Sequence, residues 1–198
     1  MKKILFAAAI LTAGFITSVS AAGPQSDQKT ISGKAQVIKA LVITPGDDLQ
    51  FGLVTQQVSK TISNTGTVLQ GTLGTSTTMG SEKVGWFGIE KGINTIVTLN
   101  LGLPTYLAFG DEHLAINYTD YGGTPTKLGR LYIGGTTPVN KEFTPVNGTN
   151  MTLSAGNGYT EFFQSGALAV YVGGTVVPTL GQVEGDYTGT ITLTATYN

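Results

Sequence analysis

The chain has 198 residues with no cysteine and one histidine, only 12% of them charged, and a formal net charge of −1. That composition leaves no material for a disulfide, a Cys/His dyad or a cluster of histidine metal ligands. The near-neutral balance supplies no basic face for nucleic acid or for an anionic membrane.

The first 22 residues have the pattern of a secretory signal peptide. Lys2 and Lys3 form a positive start, Ile4 to Val19 is uncharged and largely apolar, and the small residues Ser18, Ser20, Ala21 and Ala22 follow. Cleavage is expected just before Ala22 or Gly23. The apolar run falls short of the ~20 residues needed to span a bilayer, so no stable membrane insertion is expected after removal. A lipoprotein would need a Cys at the cut. Loss of the leader removes two of 11 basic residues and none of 12 acidic ones, leaving 9 against 12 and a net charge of −3. About 175 residues remain, enough for one domain that buries roughly 70% of its unfolded surface. Residues 23–198 are therefore read as one exported domain, with 23–33 an extended N-terminal arm.

After the leader no window shows a capped apolar stripe of helical period. Short alternating runs broken by Gly, Pro, Asn and Asp predict an all-β, immunoglobulin-like or pilin-like β-sandwich. In chain order, Ile31 to Ile43 reads as a strand with Ile31, Gly33, Ala35, Val37, Lys39, Leu41 and Ile43 on one face, ended by a turn at residues 44–48. Leu49 to Val54 and Thr67 to Leu73 read as short strands, with the polar stretch Gln56 to Asn64 between them a loop or edge. Val84 to Ile89 and Ile93 to Leu103 read as two strands joined by the turn Glu90-Lys91-Gly92. Leu114 to Tyr118, Leu128 to Ile133, Met151 to Leu153, Tyr159 to Phe163 and Leu168 to Val172 follow, with a turn at Gly122-Gly123.

The last strand is the most regular. From Tyr187 to Tyr197 the residues Tyr187, Gly189, Ile191, Leu193, Ala195 and Tyr197 fall on one face, and five threonines fall on the other. One face must be covered, because successive side chains leave a strand in opposite directions. No Lys, Pro or inward charge blunts this strand, so it needs a neighbour, either within the sheet or from another chain.

Two features of that strand, Tyr197 as the next-to-last residue and Gly185 fourteenth from the end, resemble the terminal motif of chaperone-usher pilus subunits. More broadly, Asp48-Leu49-Gln50-Phe51-Gly52, residues 172–178 and Gly185-Asp186-Tyr187-Thr188-Gly189 resemble an exported bacterial family described as domain of unknown function 4402, over roughly Lys34 to Asn198. The pilin resemblance implies an incomplete sandwich that a periplasmic chaperone fills first and another subunit's N-terminal strand fills later. It implies other copies or related subunits, a chaperone and an outer-membrane usher as partners, and a fimbrium at the cell surface, with a role in adhesion. The assembly residues would be Gly185, Tyr187, Gly189, Ile191, Leu193, Ala195 and Tyr197. The donor strand would come from the early mature chain, where Ile31, Ala35 and Val37 are the available apolar plugs.

No catalytic, cofactor or metal site is expected. His113 sits in Gly110-Asp111-Glu112-His113-Leu114, a turn entering a strand, and adjacent acids such as Asp47-Asp48 lack the alternate spacing of a calcium loop. Gly134-Gly135 and Gly173-Gly174 open no helix, so they are not phosphate loops. Glu161 and Asp120 could be paired as hydrolytic carboxylates, but no motif surrounds them. The alternative from another class is a self-contained secreted module that binds carbohydrate or a surface through Trp86, Tyr118, Tyr121 and Phe162.

Overall fold

The computed structural model describes residues 32–70, 81–119 and 127–198. The chain divides between Gln36 and Val37. Before that point, Ser32 to Gln36 are exposed and outside any ladder; beyond it the chain is an all-β sandwich.

The first sheet is antiparallel with order β1-β4-β11-β8-β9, formed by β1 (Val42–Pro45), β4 (Gly85–Glu90), β8 (Gly129–Ile133), β9 (Val139–Phe143) and β11 (Ala167–Val172). The second contains β2 (Lys60–Ile62), β3 (Val68–Gln70), β6 (Tyr106–Phe109), β7 (Glu112–Asn117) and β12 (Gly174–Val177) in the order β3-β2-β12-β7-β6. The third has three strands, β10 (Asn150–Leu153), β5 (Val97–Gly102) and β13 (Thr192–Tyr197), with β5 in the middle. Their inner faces share one core. Val97, Leu99 and Leu101 of β5 meet Leu131, Leu168, Val170 and Val172 of the first sheet and Ile62, Ile116 and Val176 of the second. Each fully buried side chain of this kind contributes roughly 1.5–3 kcal/mol, which suits a chain without covalent staples.

Several strands lie where alternation predicts them: β4, β7, β8, β10 and β11 all fall inside or across the expected runs. Others differ. The run Ile31 to Ile43 is not one strand, since only Val42–Pro45 pairs, with β4, and residues 32–40 are exposed. Leu49 to Val54 makes a single bridge, Gln50 to Lys83. The segment between Glu90 and Val97 does not make a hairpin. β4 and β5 belong to different sheets, and Ile93 is 65% exposed in the connection that carries the chain between them. Tyr159 to Phe163 is no strand either. A short helix, α1 (Thr160–Gln164), follows a 3₁₀ turn at Ala155–Asn157 and plugs Phe162 into the core. The expected turn at Gly122-Gly123 lies outside the described residues.

The polar stretch Gln56 to Asn64, expected as loop or edge, contains β2, whose three residues are all buried between β3 and β12. Burial is tolerable because the side chains of Lys60, Thr61, Ser63 and Asn64 have partners. The Lys60 ammonium donates to the Leu53 carbonyl at 2.9 Å and to the Glu82 carboxylate at 2.5 Å, and both charged side chains are almost wholly covered. The Thr61 and Thr175 hydroxyls are 2.8 Å apart across the ladder, and Ser63 Oγ accepts the backbone N–H groups of Thr65 and Thr67. The ammonium beside Glu82 holds that carboxyl below the usual range.

Gly173-Gly174 has a structural duty. It carries the chain from β11 in the first sheet directly into β12 in the second, past β2. A Cβ on Gly173 would stand 2.2 Å from the Ile62 carbonyl oxygen, so only glycine lets the strands cross this closely.

Candidate functional site: an open groove beside the segment leading into the terminal strand

The terminal segment leaves the second sheet for the third. Thr188 exchanges both backbone hydrogen bonds with Ala108 of β6, at 2.7 and 2.9 Å, and Thr192 to Tyr197 then pair along β5 from Gly102 to Val97. This segment is therefore split between two sheets, and β13 is an edge strand.

Register fixes which main-chain groups that edge leaves open. The Asn198 N–H donates to the Ile96 carbonyl, which makes the even-numbered positions the hydrogen-bonded pairs of the β13–β5 ladder. Thr188 is also even. The N–H and C=O groups of the odd-numbered residues point the other way, where no backbone partner lies among the described residues. The same odd positions carry the apolar face. Tyr187, Ile191, Leu193, Ala195 and Tyr197 pack against the core yet remain half-buried, whereas Val97, Leu99 and Leu101 of neighbouring β5 are closed off.

Beside the segment that leads into this edge lies a groove of about 1020 Å³. One wall is Pro45 to Val54, the other runs from Gln182 through Gly189 to Ile191, and Leu107, Leu114, Ile116, Val172 and Val176 lie at its base. The first wall hangs on β4 by sparse bonds, Gly46 N–H to the Trp86 carbonyl and Trp86 N–H to the Asp47 carbonyl, and beyond Gln50 it leaves that edge. Each wall joins a sheet through an isolated bridge, Gln50 to Lys83 and Thr188 to Ala108, and polar side chains such as Asp48 and Glu184 line the trough above its apolar base.

The glycines of the expected assembly set are explained by close contact. A Cβ on Gly185 would lie 2.4 Å from the Phe109 ring, and one on Gly189 would lie 2.8 Å from Leu107 Cδ2. Phe109 and Tyr187 also meet, their ring centroids 5.8 Å apart. At the far end Tyr197 is tethered: its hydroxyl accepts the Gly92 N–H at 2.6 Å and donates to the Lys39 carbonyl at 2.8 Å. Of the seven expected residues, Leu193, Ala195 and Tyr197 lie on β13, and Gly185, Tyr187, Gly189 and Ile191 lie on the segment that leads into it. Of the expected donor residues, Val37 is 96% exposed, Ala35 is exposed and outside any strand, and Ile31 lies outside the described residues. The wall from Pro45 to Val54 was not legible as part of a site, because its sequence alternates too weakly to declare an unpaired edge.

The aromatic set of the alternative reading does not form a surface. Tyr118 and Phe162 are core residues, 7% and 1% exposed, and burial pushes the Tyr118 hydroxyl well above its ordinary range. Tyr121 lies outside the described residues. Trp86 stacks on Tyr171 with centroids 6.1 Å apart, its indole lies over Gly46, and its N–H faces Asp47. Tyr171 in turn meets the Arg130 guanidinium at 4.3 Å. The ring faces are spent on one another along the row, as in other cross-strand ladders.

His113 is exposed and packs on Tyr106 with centroids 3.9 Å apart, and Asp47 is held by Lys83 at 2.9 Å, which lowers its carboxyl. Among the described residues, no group of three or more His, Cys, Asp or Glu is placed to hold a metal ion, and no helix is long and apolar enough to cross a membrane. Compared with protein-family profiles, curated proteins and solved structures, the chain finds no match.

Proposed function

We propose that this protein is a structural subunit of a cell-surface fimbria, or a fimbria-like surface protein, assembled by strand complementation. One observation carries the reading: Tyr187 to Tyr197 combines unpaired backbone groups with half-buried apolar side chains, and an open trough lies beside its first part, up to Ile191. An extended strand laid there would gain main-chain hydrogen bonds from the edge and side-chain burial from the trough, the two sources of affinity in β-augmentation. An isolated domain with such an edge is an aggregation hazard, which is the physical reason for a periplasmic chaperone to cover it during export. The apolar residues Ile31, Ala35 and Val37 make the early mature chain the donor, and the exposure of Ala35 and Val37 leaves them available to another subunit.

The test is made in cells that display fibres. Ile191→Asp places a charge in the trough and Leu193→Asp places one on the half-buried face of β13, and neither touches the even-numbered backbone groups that hold β13 to β5. Both are expected to abolish surface fibres seen by electron microscopy while the exported protein persists in the periplasm. Normal fibres from both variants would remove the proposal.

A further inference from the structure

We propose that the outer face of the first sheet binds an acidic sugar, whose carboxylate is held by the guanidinium of Arg130. This sheet is not one of those that the terminal strand joins, so the site stands whether or not that strand is complemented. Register places Trp86, Tyr171 and Arg130 side by side on β4, β11 and β8. Tyr132, two residues beyond Arg130, shares their face. The guanidinium carbon sits 4.3 Å from the Tyr171 ring centre and 5.2 Å from that of Tyr132, and the two rings meet edge to face at 6.2 Å. Both contacts fix the head of a side chain that would otherwise sample many rotamers.

What this guanidinium lacks is an acceptor. Arg130 forms no ion pair with any described residue, and its Nε is buried without a hydrogen-bond partner. Glu142 stands opposite it on β9, but the Glu142 carboxylate accepts the Asn64 amide at 3.2 Å. Asp47 and Glu90 are engaged by Lys83 and Lys39. An open donor on a half-buried cation is costly, and a planar carboxylate answers it with two parallel charge-assisted bonds.

The surroundings suit a sugar as the carrier of that carboxylate. Ala169 lies between Gly88 and Tyr132 in the next row of the same face, and these two short residues leave a hollow beside the aromatic row. From Gly88 to Tyr132 is two strand spacings, about 10 Å, room for one pyranose ring with its substituents. Tyr132, Tyr171 and the exposed Asn140 supply neutral hydroxyl and amide groups around it, which match sugar hydroxyls. With one cation and Glu142 next to it, the face fits a ligand of isolated carboxylates among neutral groups better than a run of acidic side chains.

Trp86 is the only tryptophan and stacks on Tyr171, so its fluorescence reports on this face. Purified protein is titrated with polygalacturonate, polysialic acid, neutral dextran and polyglutamate. At least one acidic polysaccharide should shift the Trp86 emission saturably, and dextran and polyglutamate should not. Arg130→Lys keeps the charge and loses the planar fork, so it should weaken binding about tenfold. Ala169→Ile fills the hollow and leaves Arg130 in place, and it should weaken binding as well. Backbone amide spectra check that each variant is folded, and if one is not, the other carries the test. An equal response to dextran would overturn the carboxylate, and an equal response to polyglutamate would make the ligand an acidic peptide and overturn the sugar. Undiminished binding in a folded variant, or no response to either acidic polysaccharide, would remove the site.

Discussion

β11 and β13 are six-residue strands that each turn three apolar side chains toward the core, and they meet opposite fates. Ala167–Val172 lies between β4 and β8, hydrogen-bonded on both sides, with Leu168, Val170 and Val172 sealed in the core. Thr192–Tyr197 is bonded on one side only, and Leu193, Ala195 and Tyr197 are half-buried. Alternation states that a strand has an apolar face. It is silent on how many edges are occupied, because a neighbour is supplied by topology and not by the strand's own residues. The difference divides the molecule into a part that is complete by itself and a part that needs an occupant.

Hydrogen exchange should break or confirm that division most visibly. Amides of β11 are expected to exchange only through global opening, at a free energy on the order of 5–15 kcal/mol for a domain of this kind. In β13 the even-numbered amides Thr192, Thr194 and Thr196 should be protected by β5, and the odd-numbered Leu193, Ala195 and Tyr197 should exchange close to the unprotected rate. Protection of both sets in dilute isolated protein would show that the edge is already paired. Loss of protection at even and odd positions alike, in the isolated protein and on intact cells, would show that no sheet edge exists there.

Truncation of side chains sharpens the same contrast at a smaller scale. Leu131 is fully enclosed in the first sheet, so Leu131→Ala should cost about 2–5 kcal/mol in urea unfolding of the isolated protein. Ile191 faces the open trough, and Ile191→Ala should cost about 1 kcal/mol or less there, since little surrounding structure closes on it. In assembled fibres the order should narrow, because the trough would then be filled. A large penalty for Ile191→Ala in the isolated chain would mean that the groove is already closed.

How much of this was legible depended on where the information resides. The sheet class, β4, β7, β8, β10, β11 and the composition of the terminal edge followed from period-two patterning, which is a local property. β2 was missed because Ser59, Lys60, Thr61, Ser63 and Asn64 are polar, and the burial of Lys60, Thr61 and Asn64 depends on partners elsewhere in the chain, Leu53, Glu82, Thr175 and Lys127. α1 was misread because Phe162 and Phe163 weigh toward strand, and one turn of helix is too short to show its period. The supposed hairpin between β4 and β5 failed for a different reason. A Gly-containing turn predicts a change of direction, and here the chain changes sheet as well. For the site, the odd-numbered residues of the terminal strand were readable, but the trough beside them was not, because its other wall comes from irregular chain near Leu49 and Phe51.

The smallest effect concerns the place where the complete and incomplete parts are tied together. The Tyr197 hydroxyl bridges the Gly92 N–H and the Lys39 carbonyl, joining the end of the terminal strand to the connection after β4 and to the chain just before β1. Tyr197→Phe keeps the ring and deletes both bonds. A typical hydrogen bond contributes about 0.5–1.5 kcal/mol net, and Lys39 is exposed to water that can replace the lost donor, so a cost of about 1 kcal/mol is expected in urea unfolding. The more informative readout is local: faster exchange at the Gly92 amide with β11 unchanged. If β11 loosened equally, the tether would be part of the sealed core, and the boundary between the two regions would have to be drawn beyond the terminal strand.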